Sequence, residues 1–155
     1  MTAQTVPVVP PEPSLFEHRP RVLVAEDDSE MRNLITATLR NAGYDVTEVR
    51  DGMELLDFVE AAAKFGAPDR YAAVVSDIRM PWLSGLDVLA VLSAASWRTP
   101  VVLITAFGDA ETHAEGRDLG AAAVLDKPFE MSELTGTLAR LIMRASGSSA
   151  PPSSR

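Results

Sequence analysis

The chain has no cysteine. That excludes disulfides, thiolate nucleophiles and cysteine-ligated metals. Lysine is almost missing: Lys64 and Lys127 are the only two. With 14 basic against 22 acidic residues, the net charge is −8, and the arginines are scattered rather than clustered. Such a surface repels a phosphate backbone, so direct nucleic-acid binding is not expected. Aromatics are sparse at 6%, so the core has to come mostly from Ala, Val and Leu. No segment approaches the roughly 18 consecutive apolar residues of a membrane helix. The N-terminal MTAQTVPVVPPEPS has neither the basic region nor the apolar core of a secretion signal. A soluble, cytoplasmic protein without membrane contact is expected.

What is present is enough apolar material for one domain, flanked by two stretches of different composition. Met1 to Pro20 holds five prolines, and the end from Ser146, SGSSAPPSSR, is rich in Ser and Pro. Residues 1–20 and 145–155 are therefore expected to be flexible tails around a domain at 21–144. Only a Ser/Pro-rich stretch follows Arg144, so a stand-alone domain is expected, with a piece of a longer protein as the alternative.

Within the domain, short apolar runs alternate with longer amphipathic stretches. The runs are Val22–Ala25, Asp45–Val49, Ala72–Ser76, Val101–Ile104 and Ala122–Leu125. Four are unbroken, as strands covered on both faces should be; the second alternates, which suits an edge strand. The intervening stretches predict helices over Ser29–Asn41, Gly52–Lys64, Ser84–Ala95, Asp109–Leu119 and Met131–Met143. Ser29 is the expected N-cap of the first, and Gly43 its stop signal. Five strand–helix repeats imply an α/β fold, a parallel sheet with helices on both faces. Ligands in such sheets bind beyond the carboxyl ends of the strands.

That rule selects the polar residues at those ends. Glu26, Asp27 and Asp28 follow the first strand, Asp77 the third, and Thr105 the fourth, while Asp126, Lys127 and Pro128 follow the fifth. Singly, each has an ordinary explanation: strand-end aspartates usually cap helices or make turns, and lysines are usually solvated. Together they would put several carboxylates, a hydroxyl and an ammonium on one edge. Gathered carboxylates need counter-charge. Lys127 supplies some, and a hard divalent cation with oxygen ligands, Mg²⁺, would supply the rest. No histidine sits at a strand end, so zinc is disfavoured. A carboxylate beside such a cation and an ammonium can act as the nucleophile that forms an aspartyl phosphate.

These motifs resemble the response-regulator receiver family of two-component systems over about Arg21 to Arg144. The resemblance is carried by VLVAEDDSEMR at 22–32, VVSDIRMPWLSGLDVL at 74–89, VVLITAFGD at 101–109 and LDKPF at 125–129. SDIRMP and TAFGD are also similar to receivers attached to enhancer-binding transcription activators. The resemblance implies a flavodoxin-like (βα)5 fold with strand order 2-1-3-4-5. It implies Asp77 as phosphoacceptor, Asp27 as a direct Mg²⁺ ligand, Glu26 as a ligand through water, and the Arg79 backbone carbonyl as another. It implies that Thr105 and Lys127 bond the phosphoryl group, and that the Lys127–Pro128 bond is cis. The implied donor is a histidine kinase or phosphotransfer protein. The implied readout is a face of the fourth helix, fifth strand and fifth helix, which binds a downstream protein or a second copy of the chain.

Two departures stand out. Glu26 replaces the commoner Asp, and Val124 occupies the position of the usual switch aromatic. The family positions matching Arg79 and Phe107 tune phosphoryl lifetime, and a bulky pair implies a long one. Three other functions fit the residues less well. A haloacid-dehalogenase-type phosphatase needs Asp-x-Asp after the first strand, whereas here Glu26 would sit at the nucleophile position. An FMN carrier needs a phosphate-cradling loop there, which acidic residues would oppose. A phosphorylation-independent scaffold is disfavoured because each key side chain is present. His113 is expected to be a surface residue and His18 to lie in the tail.

Overall fold

A computed structural model describes residues 19–65, 70–95, 97–106 and 109–147, the side chains of 146 and 147 excepted. Most of both expected tails, His18 and Phe107 lie outside the described residues. The element order is β1 (Arg21–Ala25), α1 (Ser29–Asn41), β2 (Asp45–Val49), α2 (Gly52–Lys64), β3 (Ala73–Asp77), α3 (Gly85–Ala94), β4 (Val101–Thr105), α4 (Ala110–Asp118), β5 (Ala123–Asp126) and α5 (Met131–Gly147). The strands form one sheet in the order β2-β1-β3-β4-β5, and each pairing is parallel. This is the expected topology, with the alternating β2 at an edge. The other edge is β5, which is only partly covered although its sequence is unbroken apolar. α5 continues past its expected end at Met143, and past the expected domain end at Arg144, to Gly147.

The period-two alternation of side chains along each strand divides the core between two faces. Leu23, Val74, Val101 and Leu103 point to one face, where they meet Leu55 and Val59 of α2 and Val88, Leu89 and Leu92 of α3. Val22, Val24, Ala73, Val75, Val102 and Ile104 point to the other, against Ile35 and Leu39 of α1 and Leu134 and Leu138 of α5. Leu23, Ile35, Leu39, Leu55, Leu103, Leu134 and Leu138 are fully buried. Each such side chain contributes about 1.5–3 kcal/mol from burial.

The helix starts are set by polar side chains. Asp28, not Ser29, caps α1: its Oδ1 accepts from the Met31 amide at 3.0 Å, and Ser29 is the first helical residue. A carboxylate at this position also meets the positive end of the helix dipole. Asp51 and Asp109 cap α2 and α4 in the same way. Ser84 and Asp87 form a reciprocal capping box on α3. Gly43, with φ +99°, ends the α1 segment as expected.

α4 is held differently from the other helices. Gly116 is its only buried residue. A methyl group added there would come within 3.1 Å of Val124 Cγ2 and 3.3 Å of Leu103 Cδ1. The glycine therefore lets α4 lie close against β5 at Val124, the position of the usual switch aromatic in the family that the motifs resemble.

Candidate functional site

The parallel register brings the strand ends to one edge. Glu26 follows β1, Asp77 ends β3, Thr105 ends β4, and Lys127 follows β5. Register pairs Asp77 with Ile104 and Thr105 with Asp126. The Lys127 amide donates to the Thr105 carbonyl at 2.7 Å, which extends the β4–β5 ladder into the site. The Lys127–Pro128 bond is cis, as the motif implied.

Glu26, Asp77 and Thr105 are buried, with relative exposures of 1%, 5% and 2%. Buried carboxylates are costly unless paired. The Lys127 ammonium donates to Asp77 Oδ2 at 2.9 Å and to Glu26 Oε1 at 3.0 Å, so one cation bridges both acids. The Arg79 amide donates to Asp77 Oδ1 at 3.2 Å, which fixes the carboxylate from its other side. Asp27 is exposed at the mouth of the site. Oxygens of Glu26, Asp27 and Asp77 lie within 4.8 Å of one another.

This trio has more negative charge than Lys127 can offset. Burial, and then the hydrogen bond and charge of Asp77, push the Glu26 carboxyl up from 4.5 to about 8, against the opposing pull of Lys127. For Lys127, burial favours the neutral amine, but its bonds to Asp77 and Glu26 outweigh that and hold it above its ordinary value. Glu26 Oε2 is buried and has no hydrogen-bond partner among the described residues. An orphaned carboxylate oxygen within a cluster of three carboxylates is the donor set of a hard divalent cation, and the residues present fit Mg²⁺. Receiver domains generally bind Mg²⁺ at such an acidic site.

The backbone beneath Asp77 is tightly supported. Ser76 Oγ donates to the Asp77 carbonyl at 3.0 Å. The Gly85 amide donates to the Ile78 carbonyl at 2.9 Å. A Cβ at Gly85 would collide with the Asp77 carbonyl oxygen. Arg32 donates to the Glu26 carbonyl at 2.8 Å, pinning the β1–α1 turn. Sequence reasoning did not single out Ser76, Gly85 or Arg32 as supports; the glycine inside the second motif, Gly85, was the available signal.

His113 and the two tryptophans lie outside this cluster. His113 is partly exposed at the surface, with a side-chain exposure of 20%, and its Nε2 lies 2.8 Å from Asp126 Oδ1. Trp82, in the loop between β3 and α3, is 85% exposed and has φ 72°, while Trp97 packs against the core.

Comparison with known proteins agrees with this geometry. The family model described as "Response regulator receiver domain" matches residues 22–139. Response regulator MprA of Mycobacterium sp. (strain KMS) is 35% identical over 133 residues, which is 86% of this chain and 55% of that protein. Transcriptional regulatory protein FixJ of Bradyrhizobium diazoefficiens is 33% identical over 124 residues, 80% of this chain and 57% of that one. The Francisella response regulator 1452 receiver domain superposes with a TM-score of 0.74 at 32% identity, covering 82% of this chain and 99% of that one. The chain spans about half the length of the curated relatives it matches.

Proposed function

The chain belongs to the response-regulator receiver domain family, and from that premise we propose that Asp77 is its phosphoacceptor. The observation that carries the reading is the Lys127 ammonium 2.9 Å from Asp77, beside an orphaned Glu26 oxygen. In the proposed reaction an Asp77 carboxylate oxygen attacks the phosphorus of a phosphohistidine on a histidine kinase or phosphotransfer protein. A P–O bond forms, the P–N bond breaks, and the leaving imidazole takes up a proton. Lys127 stabilises charge on the phosphoryl oxygens, and Thr105 donates its hydroxyl to one of them. Asp27 and Asp77 would hold Mg²⁺ directly, with Glu26 through water and Arg79 through its backbone carbonyl. When bound, the cation offsets charge on the transferring group.

Phosphorylation adds roughly 1.5–2 negative charges at this edge. The α4–β5–α5 face is proposed to change arrangement in response and to be read by a downstream protein or by a second copy of the chain. In this reading the receiver spans 21–144 and acts in the cytoplasm without catalytic turnover of a separate substrate. Incubation with Mg²⁺ and a small phosphodonor, followed by mass measurement, tests the reading. The wild-type chain should gain one phosphoryl group and Asp77→Ala none; equal uptake by the variant would overturn it.

A further inference from the structure

α4 is the helix with the least hydrophobic hold on the sheet, since Gly116 is its one buried residue. A helix so placed is cheap to move unless a polar contact ties it down. One does. His113 lies one turn before Gly116, on the same face of α4. Asp126 lies two residues after Val124, on the same face of β5. The two contacts therefore run side by side: Gly116 packs on Val124, and His113 Nε2 meets Asp126 Oδ1 at 2.8 Å.

The location of Asp126 gives this tie a consequence for the site. Asp126 pairs in register with Thr105 and immediately precedes Lys127. It sits between the two residues that the acceptor reading assigns to the phosphoryl group. Any shift of the β4 and β5 ends toward Asp77 moves Asp126 relative to α4.

We propose that His113 and Asp126 are a positioning pair of the phosphoryl site: their bond holds α4 against the end of β5 in the resting arrangement and is given up when Thr105 and Lys127 close on a phosphoryl group. The pair takes the place of an aromatic readout, which Val124 cannot supply. The inference rests on Asp77 being the acceptor. The bond opposes closure, so losing it eases closure. Because the pair is partly exposed, the effect is modest, about threefold in affinity for a phosphoryl mimic.

The test is the affinity of the full chain for beryllofluoride with Mg²⁺ present, measured for His113→Ala, Asp126→Ala, the double variant and His113→Gln. Each alanine variant should bind about threefold more tightly than wild type, and the double variant no more tightly than either single. His113→Gln, which keeps a donor near the Nε2 position, should return affinity to the wild-type value, a rescue that a merely structural role would not give. Unchanged affinity in both alanine variants, additive effects in the double variant, or His113→Gln behaving like His113→Ala would each overturn the pair. If Asp77→Ala binds beryllofluoride as well as wild type does, the acceptor reading fails and the inference falls with it. If binding needs Asp77 but ignores His113 and Asp126, the inference alone fails.

Discussion

Lys127 Nζ lies 2.9 Å from Asp77 Oδ2, closing a contact between residues 50 positions apart in the chain. The same ammonium reaches Glu26 at 3.0 Å, so two buried acids share one cation. Most of the energetics of the candidate site follow from that shortage of positive charge.

Lys127→Met removes the cation while keeping side-chain length. Asp77 and Glu26 then face each other without compensation. Urea unfolding without Mg²⁺ should show a loss of about 2–4 kcal/mol. The loss should be larger above pH 8 than below it, because Glu26 with its carboxyl near 8 can take up a proton on the acid side. Saturating Mg²⁺ should recover part of the loss.

Glu26 sets a pH dependence of its own. Its carboxyl is raised from 4.5 to about 8, so the folded, cation-free domain keeps a proton that the unfolded chain gives up. The stability this contributes is fully present below 4.5 and is lost as pH rises through about 8. Unfolding in chelator should therefore become easier between about pH 5 and about pH 9, and Glu26→Gln should flatten the slope. Mg²⁺ affinity should rise over the same window, because binding displaces the proton. Calorimetry in buffers of different ionisation enthalpy reads the released proton directly.

Gly85→Ala drives a methyl group into the Asp77 carbonyl oxygen. Overpacking of this kind costs about 1–3 kcal/mol. The displaced backbone carries Asp77, so uptake from a small phosphodonor should slow as well. Gly136→Ala is the contrast. Gly136 is exposed on α5, with nothing among the described residues within 4 Å of an added Cβ. That variant should gain about 0.5–1 kcal/mol and leave phosphorylation unchanged.

The topology was legible because four strands were unbroken apolar runs, the second alternated as an edge strand does, and longer helical stretches separated them. Asp77, Glu26, Asp27, Thr105 and Lys127 were legible for a related reason: a parallel sheet puts its strand ends on one edge, so position along the chain reports position in space. Where local chemistry offered two candidates, the sequence was ambiguous. Asp28 and Ser29 can both cap a helix, and the carboxylate took the position. Side-chain meetings between elements left no local mark. His113 and Asp126 are ordinary residues on different elements, and only the packing of Gly116 on Val124 brings them together. Ser76 and Gly85 support Asp77 through backbone contacts that no spacing rule picks out.

The central claim is that Asp77 carries the phosphoryl group, and reductive trapping tests it most directly. Borohydride reduces an acyl phosphate to an alcohol, so a phosphorylated aspartate becomes homoserine. After treatment with Mg²⁺ and a small phosphodonor, then borohydride, peptide sequencing should find homoserine at position 77. The mark should disappear when the phosphodonor is omitted. A reduced residue at Glu26, Asp27 or another carboxylate, or none anywhere in a chain that has gained phosphate, would contradict the account.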